Sequence, residues 1–260
     1  MKNSSFFLVL VIIFLGCNIT EEGESVPNDL EIELQELLKK PTSSPEGELF
    51  KVLTYGGDSD MIFSTRERIY PVVGDIIVDI IKEQNEDTTG IGVNYFENGK
   101  IQFSHFFDFL NHQAIWQSTR EYMYDSKGLL KELFIETASQ PHRLLANYRY
   151  DSLDRLVMIE YPIENGAELQ VYTYDESNRI TSEWKSVVGQ EDYKIDFLVY
   201  EYSSSNLLTA KKSGERGNLE GNFKDAFRYF YDQSKKLSSE EEFDPYFGFQ
   251  QVRRTEYYYY

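Results

Sequence analysis

From about residue 50 onward the chain alternates apolar and polar residues with a period of two, the pattern of half-buried β-strands. The alternation is self-similar. Tyr122-Met123-Tyr124-Asp125, followed by Gly128 and Leu130, recurs as Tyr148-Arg149-Tyr150-Asp151 with Asp154 and Leu156. It returns as Tyr172-Thr173-Tyr174-Asp175 with Asn178 and Ile180, and as Tyr200-Glu201-Tyr202-Ser203 with Asn206 and Leu208. A fifth copy is Tyr229-Phe230-Tyr231-Asp232 with Lys235 and Leu237, and Glu256-Tyr257-Tyr258-Tyr259-Tyr260 fits the opening of a sixth. The leading tyrosines are 26, 24, 28, 29 and 28 residues apart. Upstream, Val93-Asn94-Tyr95 with Asn98-Gly99 and Ile101 fits with a shortened turn, and Leu53-Thr54-Tyr55-Gly56 reads as a worn first copy.

Each position in the unit has a physical role. Tyr-x-Tyr puts two rings on one face of a strand. The Asp accepts hydrogen bonds from turn amides and starts a type I turn. Three residues later stands a residue that tolerates a left-handed backbone, giving a hairpin with a bulge. Lys235 breaks that rule, so its turn is expected to be strained or differently built. The following Leu or Ile begins the return strand, and Asn165-Gly166 offers a tight reversal into the next unit. About seven units of two strands predict an all-β antiparallel meander of on the order of fourteen strands, an open twisted or curled sheet. Its terminal repeats would leave open edges. Cross-strand aromatic pairs, each adding about 0.2–1 kcal/mol relative to alanine pairs, account for a chain with 20 Tyr and 18 Phe.

The N-terminal part reads differently. Met1-Lys2-Asn3 precedes ten unbroken apolar residues from Phe6 to Leu15, then Gly16-Cys17. One positive charge and a short apolar run form the layout of a signal peptide, half the roughly 20 residues needed to span a bilayer as a helix. Residues 18–48 hold nine acidic and two basic residues plus Pro27, Pro41 and Pro45, the composition of a self-repelling tether. Within it, Asn28 and Glu31 suit a capping box, and Leu30, Leu34, Leu37 and Leu38 share one helical face. Lys39 and Lys40 suit that helix's negative end and Pro41 stops it, so a short N-terminal helix is expected. The expected division is a signal peptide at 1–16, an acidic tether at 17–48 and a β-repeat domain at 49–260.

Charge and candidate chemistry narrow the function classes. A net charge of −18 argues against nucleic acid as a partner. One Cys excludes an internal disulfide, and three His make a multi-histidine metal site improbable. His105, Asp108 and His112 would share a helical face, but they follow the Asn98-Gly99 turn in a Phe-rich stretch that reads as strand and loop. Asp58 and Asp60 read as a plain turn, lacking the bidentate Glu of a calcium loop. No nucleophile elbow, Walker loop, zinc-protease motif or dinucleotide fingerprint is present, and no cofactor is expected. The abundant carboxylates are read as solvation rather than as a glycosidase-like pair. Tyr122, Tyr148, Tyr172, Tyr200 and Tyr229, with Trp116 and Trp184, are the candidate ligand surface, able to stack on sugar rings or grip an extended peptide. The same rings could equally pack on neighbouring strands.

Three resemblances can be named on these residues. Leu15-Gly16-Cys17 resembles the lipobox of bacterial lipoproteins, with Phe14 where that family usually has Leu. The likeness implies that Cys17 is acylated and anchors the protein to a membrane. Glu21, Glu22 and Glu24 behind it are similar to the surface-export signal of lipoproteins of the Bacteroidota group, which implies an outer-membrane, surface-exposed location. The Tyr-x-Tyr-Asp unit, best kept at 148–156 and 172–180 with Arg155 and Arg179, resembles the YD repeat of RHS-type proteins. That likeness covers residues 93–260 and implies a β-repeat module, without implying the toxin-delivery role of the large family members. The expected function is a non-catalytic, lipid-anchored envelope protein that binds or scaffolds a polysaccharide or protein. The alternative is a hydrolytic accessory to glycan uptake using a carboxylate pair.

Overall fold

The structure is a computed structural model and describes residues 34, 37, 38, 42–43, 49–56, 62–71, 75–83, 87–110, 113–189, 194–213, 223–244 and 250–259. Its strands are β1 (Thr42–Ser43), β2 (Leu49–Gly56), β3 (Ile62–Pro71), β4 (Ile76–Glu83), β5 (Thr88–Glu97) and β6 (Lys100–Leu110). There follow β7 (Gln113–Tyr124), β8 (Leu130–Thr137), β9 (Gln140–Tyr150), β10 (Leu156–Ile163), β11 (Gly166–Tyr174) and β12 (Ile180–Val187). The last five are β13 (Ile195–Tyr202), β14 (Leu208–Ser213), β15 (Lys224–Tyr231), β16 (Leu237–Asp244) and β17 (Gln250–Tyr259). Every pairing is antiparallel, and from β2 onward each strand pairs with the next.

The sheet is closed, not open. β17 pairs with β2, with Tyr257 opposite Val52 and Thr255 opposite Thr54, so β2 to β17 form a 16-stranded barrel. The expectation of an open, twisted or curled sheet with exposed terminal edges is overturned by this seam. The partial sixth copy at the C-terminus pairs with the worn first copy at the N-terminus, and closure removes both edges. β1 adds to β3 beyond the end of β2, with Thr42 opposite Pro71.

No helix stands among the elements of the described residues, which corrects the expected short N-terminal helix. Of that stretch only Leu34, Leu37 and Leu38 are described; their backbone is locally helical. Leu34 and Leu37 are buried against Val78, Ile91, Val93, Phe107 and Ala114 on β4 to β7. Cys17, Asp58, Asp60 and His112 lie outside the described residues.

The repeat turns are built as their residue types require. Gly128, Asp154, Asn178, Asn206 and Lys235 all have positive φ, between 60° and 82°. Each donates its amide to the carbonyl of the residue three before it, at 2.9–3.1 Å. A one-residue bulge follows on each hairpin, as between Thr173 and Tyr174. The Lys235 turn keeps the same hydrogen bonds as its siblings at φ 62°, so it is strained but not differently built.

Two of the upstream copies are out of face. The Asn98-Gly99 turn has both residues at positive φ, a two-residue hairpin loop. Its shorter length moves the register, and Phe96 sits opposite Ile101 as Tyr124 sits opposite Leu130. Asn94 and Phe96 therefore occupy the Tyr-x-Tyr positions, and Tyr95 points to the other side of the sheet, as does Tyr55. A slip of one residue exchanges faces.

Candidate functional site

In a closed barrel alternate side chains point to the axis and away from it. Of the residues between the paired tyrosines, Met123, Arg149, Glu201, Phe230 and Tyr258 are exposed and Thr173 is half-buried, whereas the tyrosines flanking the five exposed ones are half-buried or buried. Side chains converge toward the axis and diverge from it, so the tyrosine set is the inward one. Tyr122, Tyr148, Tyr172, Tyr200 and Tyr229, with Tyr257, stand on β7, β9, β11, β13, β15 and β17 as one inner belt.

Cross-strand pairing fixes what lies between these rings. Tyr122 faces Leu133, Tyr148 faces Ile159, Tyr172 faces Glu183, Tyr200 faces Lys211, Tyr229 faces Glu240 and Tyr257 faces Val52. The belt thus grades from an apolar arc around Leu133, Ala146 and Ile159 to a charged arc around Glu183, Lys211 and Glu240. Glu183 is only 9% exposed. Its Oε1 lies 3.3 Å from Lys211 Nζ, which also sits 4.6 Å from the Tyr200 ring centroid. Burial pushes the phenols of Tyr148, Tyr172, Tyr200, Tyr229 and Tyr257 well above their ordinary range. Nearby Glu183 and Glu240 add to the shift at Tyr200 and Tyr257 respectively. The rings are therefore neutral hydroxyl donors under physiological conditions. Burial also raises the Glu240 carboxyl, against a lowering hydrogen bond from Tyr257.

The second tyrosine of each pair does different work. Tyr124 donates its hydroxyl to the carbonyl of Ile101 at 2.8 Å, Tyr150 to Leu130 at 2.8 Å and Tyr174 to Leu156 at 2.6 Å. Tyr202 donates to Ile180 at 2.9 Å, Tyr231 to Leu208 at 2.9 Å and Tyr259 to Leu237 at 2.8 Å. In each case a repeat clamps the first return-strand residue of the repeat before it. Arg155 lies 4.8 Å over the Tyr174 ring and Arg179 lies 4.9 Å over Tyr202, with Lys100 and Lys236 over Tyr124 and Tyr259. The same arginines bind the Asp of their own turn, Asp151 and Asp175, and donate to Asn178 and Asn206 of the next turn at 3.0 and 2.9 Å. Amide hydrogen bonds, above all from Arg155 and Arg179, hold the carboxyls of Asp151 and Asp175 below the ordinary Asp range. This ladder of turns at one rim explains why the motif carries Arg after its left-handed residue; no reading of single units could expose it, since each contact joins two repeats.

The remaining candidates are dispersed. Trp116 and Trp184 are on the outward face, away from the belt. Trp116 donates to Thr119 Oγ1 at 3.0 Å and packs beside the Leu34 cluster. Trp184 lies near Phe197, with Lys194 Nζ 4.3 Å from its ring centroid. His105 and Asp108 are both on β6, but three residues apart in a strand they face opposite sides. His105 pairs outward with Thr119 at 2.8 Å, and Asp108 points inward, its carboxyl raised by burial.

Charges occur on both faces. Arg149, Glu160, Glu201, Lys212, Arg228 and Glu241 are outward; Arg68 and Asp79 form an inward bidentate pair at 2.7 and 3.0 Å. Of these outward charges Glu160, Arg228 and Glu241 stand at mid-strand, where a lipid-facing barrel carries apolar residues.

No family model matches the chain, and no curated protein matches it. Among solved structures it is similar to a porin-like protein from Bacteroides uniformis, 11% identical over 84% of this chain and 100% of that one, with a TM-score of 0.43. It is also similar to the TcdB2-TccC3-Cdc42 structure, 16% identical over 78% of this chain, with a TM-score of 0.35. A third is TcdB2-TccC3-TEV, 11% identical over 80% of this chain, with a TM-score of 0.33. The chain spans only 10% and 14% of the length of those two TcdB2-TccC3 chains. At these values the likenesses carry no argument about function.

Proposed function

We propose that the protein is a non-catalytic binding or scaffolding module of the bacterial envelope, lipid-anchored through Cys17, displayed on the outer membrane and built from YD-like repeats. The observation that carries the binding reading is the inner tyrosine belt. Barrels of sixteen strands can enclose a channel, and six tyrosines at one level direct ring faces and hydroxyls toward the axis, where a guest would meet them. An extended polysaccharide suits them best, because its sugar faces stack on aromatics while its hydroxyls pair with Tyr and Glu. A partner protein strand is the other class of ligand.

The test is titration of a glycan panel into purified residues 18–260, followed by calorimetry and product analysis. Retention without turnover, weakened by Tyr200→Ala, supports the reading; no binding by any glycan or peptide refutes it. The hydrolase alternative draws on one observation, the raised Glu240 carboxyl on the same wall as the Lys211-paired Glu183. Turnover abolished by Glu240→Gln would replace the binding reading with that one. Anchorage is tested separately: Cys17→Ser moves the protein from the membrane to the soluble fraction if the lipid reading is right. Protease added to intact cells degrades a surface-displayed protein and spares a periplasmic one.

A further inference from the structure

The outward face of β4 to β7 carries a buried apolar cluster. Val78, Ile91, Val93 and Phe107 on it are at most 2% exposed. The chain's own N-terminal segment seals it: Leu34 is 1% and Leu37 is 6% exposed, while Leu38 beside them is 37% exposed. Among the described residues of 17–48, Leu34 and Leu37 are the ones seated in a core cluster, and Thr42 and Ser43 pair with β3.

We infer that the segment carrying Leu34 and Leu37 is a latch, whose docking on the outer face of β4 to β7 sets how far the barrel stands from the end of its tether. The occupant is this chain's own segment, because its two leucines are already seated and covalent linkage gives an effective concentration in the millimolar range. The consequence for reach rests on the lipid-anchor reading; the docking itself does not. Seventeen residues separate Cys17 from Leu34, and twenty-five separate it from Thr42. At about 3.3–3.6 Å per residue the tether extends to about 60 Å when latched and about 90 Å when released.

The experiment uses the full mature chain with Cys17→Ser, so that it is independent of anchorage. Spin labels are placed at Leu38→Cys and Phe103→Cys, both at exposed outward positions. A latched segment gives a single narrow distance peak, and adding Leu34→Asp with Leu37→Asp broadens it while an apolar dye gains fluorescence several-fold. Leu34→Ala with Leu37→Ala, a milder pair, keeps the chain folded and broadens the peak partially. A broad distribution without these substitutions, or a peak unchanged by them, overturns the latch. Distances that vanish on dilution with unlabelled protein indicate exchange between two copies, and overturn the assignment of the occupant to the same chain.

Discussion

The arc from β7 to β17 and the arc from β2 to β6 belong to one closed sheet, yet their buried apolar clusters lie on opposite faces. In the first, Tyr122, Leu133, Ala146, Tyr148 and Ile159 pack toward the axis, and the outside carries Arg149, Glu201 and Arg228 beside the buried Leu169, Ala210 and Ala226. In the second, the inside carries Arg68, Asp79, Gly90 and Gly92, and the buried cluster of Val78, Ile91, Val93 and Phe107 is outside beneath Leu34 and Leu37. The lesson is that a barrel needs one satisfied face per strand, not the same face throughout.

The inversion can be broken by substitution. Phe107→Ala, outward on β6, and Tyr257→Ala, inward on β17, are each expected to destabilise by about 3–5 kcal/mol in urea unfolding, the cost of deleting a buried aromatic. Phe230→Ala and Met123→Ala, outward in the tyrosine arc, should stay within about 0.5 kcal/mol. Equal losses at all four would deny the inversion. The clamp and the turns sharpen the picture at smaller scale. Tyr174→Phe removes a hydroxyl bond to the Leu156 carbonyl and should cost about 0.5–1.5 kcal/mol. Lys235→Gly relieves a left-handed non-glycine residue and should stabilise by about 0.4–1 kcal/mol.

The pH dependence separates the arcs by titration. The tyrosine arc holds phenols whose folded pKa exceeds the ordinary 10, so it contributes stability below pH 10 that is lost as pH rises toward the folded value. For Tyr124 and Tyr202, pushed up to about 12 by burial, that window runs from pH 10 to about 12. Phenolate absorbance of the native protein should lag that of the urea-unfolded chain across it. A native curve superposing on the unfolded one would contradict the belt. The smallest effect is at acid pH. Asp151 and Asp175 titrate below the ordinary 3.8, so their turns hold above that value and loosen as pH falls through the folded one.

Much of the fold was legible because the repeat is written in local chemistry. Asp125, Asp151 and Asp175 specify the turn, the left-handed residue follows three later, and Tyr-x-Tyr sets one face; all of this is short-range. Closure was not legible. The pairing of Tyr257 with Val52 joins residues at opposite ends of the chain, and no single unit records whether the ends meet. The Tyr95 copy misled because its two-residue turn shifts register by one, which alternation alone does not reveal. Of the candidate surface, the five tyrosines do share a face, whereas Trp116 and Trp184 belong to the other one. Trp116 stands six residues before Tyr122, a same-face spacing that the bulge between Trp116 and Ser118 reverses, and Trp184 stands opposite Val171, one residue off Tyr172. Glu183, Lys211 and Glu240 were missed because their place in the belt comes from cross-strand partners.

The account stands or falls on the seam between β17 and β2. Lys51 and Tyr258 are directly opposed there and point outward. In a Cys17→Ser background, Lys51→Cys with Tyr258→Cys should oxidise to an intramolecular disulfide in the native protein, leaving a monomer of altered mobility that keeps its β-sheet spectrum. Cysteines that remain reduced, or that link only between molecules, would show that the barrel is not closed.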